Sequence, residues 1–373
     1  MKIHKITFYA LALLSFASCN NDDIVPDTPD VPAEGYHLTF DGGVGVETGT
    51  RAVWNDDSGL GNLIFQWDYT KDTGTNEMVM AFMNGGQLLA SNNGKYHTYA
   101  TIKPHSQHSD DAHWAVFETV EKYEHDMPSG QYDGYKVLAV TPYRAENSST
   151  VASSVDAFSA TLTMPCQFTQ VAEQEPDFLR NYMYMYATST IAGGSATLAF
   201  NHIPATFRFI VINKRSDRAK ITSIQVSLAD ATPVASKSVT ITGTGTPTFS
   251  SDTYTTITTL LGEGGTDVRG GEKYIAYALA LPLADNNAFY GKKIQFTIAT
   301  DDELANKYRS FVLDGELLKT ANDNGVYNWV SGKSYTIRMS LSDILSFDGI
   351  TVNDWTEKDI NGGAAEENSS TDI

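Results

Sequence analysis

Three histidines and two aspartates, all residue types that can bind a metal, lie close together in HSQHSDDAHW (105–114). It holds His105, His108 and His113, with Asp110 and Asp111 between them. Imidazole and carboxylate groups together can bind zinc or another divalent ion. The histidine spacings match no standard zinc site, and a polar loop seldom preorganises a metal site. A surface loop is therefore the stronger interpretation, and metal binding by the loop is the alternative.

Motifs for enzyme catalysis are missing from the sequence. It contains no GxSxG, HExxH, Walker loop or GxGxxG. GEGGT (262–266) lacks the lysine and the following helix that a phosphate cradle needs. NDDSGLGN (55–62) has the oxygen ligands of a calcium loop, but it misses the EF-hand spacing and the closing glutamate. We therefore predict a protein that is not an enzyme and that has no cofactor and no metal site.

Charge and cysteine content restrict the partners and the stabilising bonds. The formal net charge of −19 argues against a nucleic-acid partner, because phosphate binding needs basic surfaces. The chain has two cysteines, Cys19 and Cys166. If Cys19 is used elsewhere, no intrachain disulfide can form. Stability must then come from burial and sheet pairing, which the hydrophobic content of 41% can supply.

The first 35 residues indicate export and anchoring. Residues 1–5 carry two lysines, residues 6–18 carry no charge, and Ala17 and Ser18 precede Cys19. This pattern fits an export signal and resembles the lipobox of bacterial lipoproteins, in which the cysteine is lipidated and the chain is cut before it. The acidic NNDD that follows resembles a surface-export signal. We predict a signal peptide over 1–18 and a tether over 19–35, with palmitate on Cys19 and a surface-exposed location at the cell outer membrane.

The pattern of the rest of the chain predicts many short strands. Segments with alternating apolar residues are separated by clusters of Gly, Asn, Asp, Ser or Pro, which is typical of sandwiches. The clearest segments are 36–40, 78–83, 135–140, 160–164, 205–212, 220–228, 237–242, 273–281, 293–299, 310–313 and 334–341. Short helices are predicted only at 156–160, 175–186 and 341–347. The glycine-rich stretch 188–196 predicts a division into two sandwich domains, 36–190 and 191–358, before a flexible tail over 359–373.

Several segments together resemble the fimbrillin family of surface lipoproteins and type V pilus subunits. They are TGTRAVW (48–54), YKVLAVTPYR (135–144), ATLAFNHIPATFRFIVINK (196–214) and WVSGKSYTIRMSLSDILSFDGITVNDW (329–355). The resemblance implies two tandem transthyretin-like antiparallel β-sandwich domains, all-β with few short helices. It also implies a pilus or fimbria subunit that serves cell adhesion. Its expected partners are other pilus subunits and a host or bacterial surface receptor.

The resemblance further implies assembly by strand exchange. In the family an Arg-specific protease cuts after an arginine that matches Arg51, here between Arg51 and Ala52. The preceding strand, over 36–51, then leaves, and a strand from another subunit takes its place. Tyr36, Leu38 and Phe40 alternate onto one face of that strand. A permanent first strand beside an ordinary exposed arginine is the alternative, and shaft, tip and anchor roles stay open.

A second class of function is a glycan-binding surface lipoprotein of a nutrient-uptake system. NYMYMY (181–186) and Trp114 are the aromatic residues that could form a sugar platform. Tyr182 and Tyr184 would be its central residues. Aromatic residues in a strand-rich protein are more often core residues, so this remains the alternative function.

Overall fold

The computed structural model describes residues 39–44, 53–55, 62–64, 78–84, 87–89, 97–104, 115–119, 134–142, 148–151, 159–171, 176–192, 195–301, 307–322 and 325–354. The first thirteen strands are β1 Thr39–Val44, β2 Val53–Asn55, β3 Asn62–Ile64, β4 Met78–Asn84, β5 Gln87–Leu89, β6 His97–Pro104, β7 Ala115–Thr119, β8 Lys136–Thr141, β9 Ser148–Val151, β10 Ser159–Thr163, β11 Gln167–Gln170, β12 Met185–Thr190 and β13 Ser195–His202. A 3₁₀ helix, Pro176–Tyr182, lies between β11 and β12.

The second half of the chain contains thirteen further strands and one short α-helix. The strands are β14 Ala205–Asn213, β15 Ala219–Leu228, β16 Ala235–Ser236, β17 Ser238–Thr242, β18 Pro247–Phe249, β19 Thr253–Tyr254, β20 Thr256–Leu261, β21 Thr266–Val268, β22 Lys273–Ala280, β23 Lys293–Thr300, β24 Tyr308–Asp314, β25 Lys333–Leu341 and β26 Leu345–Asp354. The helix, α1, spans Gly315–Ala321. The described chain is therefore all-β with few short helices, which confirms the predicted β-sandwich fold.

The strands form two large sheets and several smaller ones. An eight-stranded sheet has the order β5-β4-β6-β7-β1-β13-β12-β8, and β4 also pairs with β8. A six-stranded sheet follows β11-β20-β15-β23-β24, with β21 on β15, and faces a four-stranded sheet of order β22-β14-β25-β26. Another four-stranded sheet has the order β18-β17-β10-β9, and β2–β3 and β16–β19 form two-stranded sheets.

Alternation along the strands explains the sandwich of the second half. In β15 Ile224 and Val226 are buried whereas Gln225 and Ser227 are half-buried. Phe209 of β14 packs edge-on against Phe296 of β23, so each sheet turns its apolar residues towards the other. This is the period of two that a strand with one buried face requires.

An aromatic cluster closes one end of this sandwich. The centroid of the Trp329 ring lies 4.7 Å from the ring centroid of Phe207, 5.0 Å from that of Phe289 and 5.2 Å from that of Tyr335. Each pair is in an edge-to-face arrangement. The indole Nε1 of Trp329 donates to the backbone oxygen of Val234 at 2.9 Å, so its single polar atom is satisfied. Such pairs add to the large apolar area that these rings bury.

Helices were predicted less well than strands. The 3₁₀ helix lies within the predicted segment 175–186. The prediction of a helix over 341–347 is wrong, because these residues join β25 to β26 and Leu341 pairs with Leu345 across the turn. The helix α1 was not predicted. It begins at Gly315, after the N-cap residue Asp314, whose side chain accepts a hydrogen bond from the backbone N–H of Glu316.

Strand pairing crosses the predicted domain boundary in both directions. β11 pairs with β20 of the second half, and β17 pairs with β10 of the first half. The stretch 188–196 ends β12, connects it to β13 and begins β13, and these two strands are neighbours in the eight-stranded sheet. The division into two domains stays a prediction. No helix of the described residues is long and apolar enough to cross a membrane.

Candidate functional site

The first described strand, β1, lies in the interior of the eight-stranded sheet. It runs antiparallel to β7, with Phe40 opposite Phe117. On its other side it runs parallel to β13, from Thr39 opposite Ser195 to Val44 opposite Phe200. Main-chain pairing on both sides is what the strand-exchange prediction requires of a strand that fills a groove.

The two neighbours of β1 would form a groove if β1 left. β7 and β13 run antiparallel to each other, since β1 is antiparallel to one and parallel to the other. Both would then present rows of unpaired N–H and C=O groups, which are a template for another strand. In β13, Ala196, Leu198 and Phe200 are buried, whereas Thr197 and Ala199 are exposed. One face of β13 therefore belongs to the core and the other faces solvent. That alternation would fix the register of an incoming strand.

The residues predicted for strand exchange are only partly within the described chain. Phe40 lies in β1. Cys19, Tyr36, Leu38 and the processing pair Arg51 and Ala52 lie outside the described residues, as do Trp114 and His105, His108 and His113. Along the chain, the Arg51–Ala52 bond falls between the end of β1 at Val44 and the start of β2 at Val53. The predicted roles of these residues stay predictions.

Strand β11 was not predicted from the sequence. It runs parallel to β20, with Phe168 opposite Thr259, and forms the edge of the six-stranded sheet. The side chain of Gln170 reaches across to the edge strand of the facing sheet, β22. Its Nε2 donates to the Ile275 oxygen at 2.8 Å, and its Oε1 accepts from the Tyr277 N–H at 3.0 Å. The buried amide of Gln170 therefore binds two backbone groups on the edge of β22 that has no neighbouring strand.

His202 is buried at the point where the chain leaves the eight-stranded sheet. It ends β13 opposite Met185 of β12, and three residues later β14 begins. Burial lowers the pKa of its imidazole well below the usual value of 6.5. His202 is therefore a buried structural residue, and its titration is a source of pH-dependent stability.

The prediction of a sugar platform is wrong for one of its two central residues, Tyr184. Tyr184 is fully buried, and its hydroxyl donates to the Thr163 backbone oxygen at 2.5 Å. Tyr182 is half-buried and packs edge-on against both Phe168 and Tyr184. Tyr184 is therefore a core residue and cannot stack on a ligand, and Tyr182 packs against the same core.

The described residues also bear on redox and metal chemistry. Cys166 is a half-buried free thiol. Within the described ranges no group of three or more His, Cys, Asp or Glu side chains is placed to hold a metal ion. The histidine-rich loop at 105–114 lies outside those ranges, so its metal-binding alternative stays open.

Known proteins resemble this chain in structure. No protein-family model and no curated protein matches its sequence. A candidate cell adhesion protein from Bacteroides uniformis aligns at 15% identity with a TM-score of 0.51, covering 87% of this chain and 99% of that one. A candidate cell adhesion protein from Bacteroides ovatus aligns at 12% identity, also with a TM-score of 0.51 and the same coverage. The chain has the fold of these adhesion proteins.

A more distant structure belongs to the fimbrial anchor protein Mfa2 from Porphyromonas gingivalis. It aligns at 11% identity with a TM-score of 0.39, covering 85% of this chain and 98% of that one. The predicted resemblance is confirmed as a likeness of fold to the two Bacteroides cell adhesion proteins.

Proposed function

We propose that this chain is a fimbrillin-like surface protein that assembles with other pilus subunits by protease-triggered strand exchange and serves cell adhesion. One observation carries the proposal. β1 fills the interior of a sheet, between β7 and β13, although it is the first described strand of the chain. The segment that follows β1 and leads to β2 contains Arg51.

A cut after Arg51 would separate β1 from β2 and from the rest of the chain. After the cut, β1 would be held only by backbone hydrogen bonds and by its side chains. Each backbone hydrogen bond contributes only about 0.5–1.5 kcal/mol net, so a six-residue strand without a covalent link can exchange with a competitor. A second subunit that offers a longer or better-matched strand would then occupy the same groove.

The anchoring part of the proposal rests on the first residues of the sequence. Lipid on Cys19 would hold the precursor at the outer membrane through the tether 19–35. β1 enters the sheet at residue 39, so the lipid and β1 lie on the same side of the Arg51–Ala52 bond. When β1 leaves after the cut, the subunit would therefore lose its own anchor as its groove becomes open to another strand. Departure of β1 would thus couple release to assembly.

The proposed role is structural and adhesive, without catalysis. The aligned structures with the same fold are candidate cell adhesion proteins, which supports this role. Expected partners are other pilus subunits and a surface receptor, at the cell surface or in a fimbria. Shaft, tip and anchor positions are distinguished by whether the chain polymerises with itself or needs a different subunit.

Proteolysis of the chain over residues 20–373 tests the proposal. Treatment with an Arg-specific protease should cut between Arg51 and Ala52, as mass spectrometry of the products would show. Unboiled SDS gels should then show a ladder of oligomers. Arg51→Lys is the matched control, because it keeps the charge but removes the specificity residue, and it should give neither the cut nor the ladder.

Two results would argue against the proposal. If Arg51→Lys formed the same ladder, assembly would not depend on this cut. If the protease left the Arg51–Ala52 bond intact in the folded chain, β1 would be a permanent strand, and the chain would act as a free-standing adhesin. A cut without a ladder would assign the chain to a tip or anchor position.

A further inference from the structure

The outer face of the six-stranded sheet presents a row of uncharged hydrogen-bonding side chains. Thr258 of β20, Gln225 of β15, Thr297 of β23 and Ser310 of β24 are neighbours in register across four strands. Their chain neighbours on the opposite face, such as Ile224 and Ile298, are buried in the core. Each of these hydroxyl and amide groups can both donate and accept hydrogen bonds.

A parallel row beside it is mostly apolar and small. It consists of Leu260, Ser223, Ala299 and Tyr308, again in register. Ser223 and Ala299 are only 6% and 8% exposed and form a low floor, whereas Tyr308 at the edge is 69% exposed. Four strands span about 14 Å across the sheet at their usual spacing. The row is thus a shallow apolar strip that ends at an exposed aromatic ring.

The face is uncharged although the protein is strongly acidic. Among the described residues, these two rows and the next one, Thr256–Ser227–Gln295–Val312, contain no Asp, Glu, Lys or Arg. Charged residues of these four strands lie at the strand ends, among them the register pair Lys293 and Asp314 and the ion pair of Lys220 with Asp301 at 3.4 Å. The whole chain carries a net charge of −19.

This distribution of charge selects the kind of partner. An anionic polymer is repelled by the net charge and finds no cation on the face. A cationic partner is attracted to acidic surfaces elsewhere on the chain and gains nothing from these rows. A neutral polymer that offers both hydroxyl groups and apolar C–H surfaces matches the two rows. Sugar rings have that combination.

We propose that the outer face of β20, β15, β23 and β24 binds a neutral polysaccharide that lies across the strands. The C–H faces of the sugar rings pack on Tyr308 and over the strip that leads to Leu260. Their hydroxyl groups exchange hydrogen bonds with the row from Thr258 to Ser310. The site is separate from β1, which belongs to the eight-stranded sheet, so binding does not depend on strand exchange.

Affinity gel electrophoresis of the full chain tests this proposal. The gels would contain soluble neutral polysaccharides of different linkage, namely mixed-linkage β-glucan, α-mannan, galactomannan and arabinoxylan, with polygalacturonate as the anionic comparison. We expect at least one neutral polysaccharide to retard the chain and polygalacturonate to leave it unaffected. Tyr308→Ala should weaken the retarding interaction about tenfold or more in Kd, as expected for loss of an aromatic anchor.

Matched variants separate this face from the rest of the surface. Tyr290→Ala removes a tyrosine of nearly equal exposure, 66%, that packs on Tyr327 near α1, and should leave retardation unchanged. Thr297→Glu places a charge in the middle of the face and should abolish retardation. Thr248→Glu places the same charge on β18 of another sheet and should have no effect.

Three results would overturn the proposal. The first is that no neutral polysaccharide of the panel retards the chain. The second is that Tyr290→Ala weakens retardation as much as Tyr308→Ala does. The third is that the chain sediments as a dimer which Thr297→Glu dissociates, because the face would then be an interface between copies of the chain.

Discussion

β1 and β11 enter their sheets in the same way, each parallel to one neighbour, but they differ in what holds them. β1 has backbone partners on both sides and a chain connection that holds Arg51. β11 has one backbone partner, β20, and on its other side the buried Gln170 side chain binds the edge of β22. The chain continues from both ends of β11 into other described elements, β10 and the 3₁₀ helix.

Under the proposed function, this difference would give one fold both a replaceable strand, β1, and a permanent one, β11. On the proposal one cut would detach β1, and its place offers the backbone groups of β7 and β13, with which any strand of suitable pattern can pair. The place of β11 requires a glutamine at one register position, and two connections keep it there. We therefore expect exchange at β1 and none at β11.

Deletion of β1 should have the largest effect. A chain that begins at Ala52 lacks the strand between β7 and β13 and exposes both of their edges, so it should elute from a size-exclusion column as a range of oligomers. A chain that begins at Tyr36 lacks only the tether and should elute as a monomer. Oligomers of equal size from both deletions would place the self-association elsewhere.

Gln170→Leu should remove the side-chain contact between β11 and β22. It leaves the Ile275 oxygen and the Tyr277 N–H buried without their present partner, which should lower the free energy of unfolding by about 2–5 kcal/mol. Urea unfolding followed by circular dichroism measures this loss. Gln167→Ala, on the same strand but exposed, is the control and should change stability by less than about 0.5 kcal/mol.

Gly245→Ala tests the contact between the β17–β18 turn and the eight-stranded sheet. Gly245 has a φ of +79°, and a Cβ there would lie 2.5 Å from the Cγ2 of Thr188 in β12. We expect a loss of about 1–3 kcal/mol in urea unfolding, since the backbone conformation and the crowding both oppose a side chain. Gly271→Ala has a similar φ of +83° and no atom within 4 Å, so it measures the backbone contribution alone.

A second substitution, at Thr188, separates the contribution of crowding from that of the backbone conformation. Thr188→Ser removes the Cγ2 atom, so it should recover part of the stability lost in Gly245→Ala and none of that lost in Gly271→Ala. Equal stability of the Gly245→Ala variants with and without Thr188→Ser would show that the turn moves away from β12 at no cost.

The smallest effect should be the pH dependence that arises from His202. Burial lowers the pKa of His202 in the folded chain, whereas in the unfolded chain it takes up a proton below about pH 6.5. The unfolded state then binds more protons, so stability should fall as the pH decreases below 6.5, by at most about 1.4 kcal/mol per pH unit. Urea midpoints between pH 7.5 and 5.5 would measure the slope.

His202→Asn should flatten that slope, because it removes the group that titrates. His108→Asn, in the histidine-rich segment 105–114, is the matched control and should retain the slope of the parent chain. An unchanged slope in His202→Asn would assign the pH dependence to other groups.

Much of the sandwich could be predicted because its strands alternate. β14, β15, β22 and β25 were all predicted within a few residues, since each buries one face and leaves a period of two in the sequence. The segment 341–347 was misread as a helix because Leu341, Ile344 and Leu345 have helical spacing. In the structure Leu341 and Leu345 meet across a turn, while Ile344 is 69% exposed.

The arrangement of the strands could not be predicted in the same way. Parallel insertion of β1 beside β13 depends on residues more than 150 positions apart, and local pattern carries no information on such pairing. Gln170 looks like an ordinary surface residue in the sequence, and only the facing edge of β22 gives it a buried role. The resemblance implied a first strand that fills a groove and has an arginine after it, but the neighbours of that strand, β7 and β13, were not predicted.

The central claim is that β1 is replaceable, and native mass spectrometry of the cut chain tests it most directly. The chain over residues 20–373 would be cut at Arg51 and incubated with an excess of the peptide 36–51 carrying a heavy isotope label. The account predicts that the labelled peptide replaces the original fragment in the complex, while an uncut chain takes up none. Retention of the original fragment at one copy per chain, with no labelled peptide bound, would contradict it.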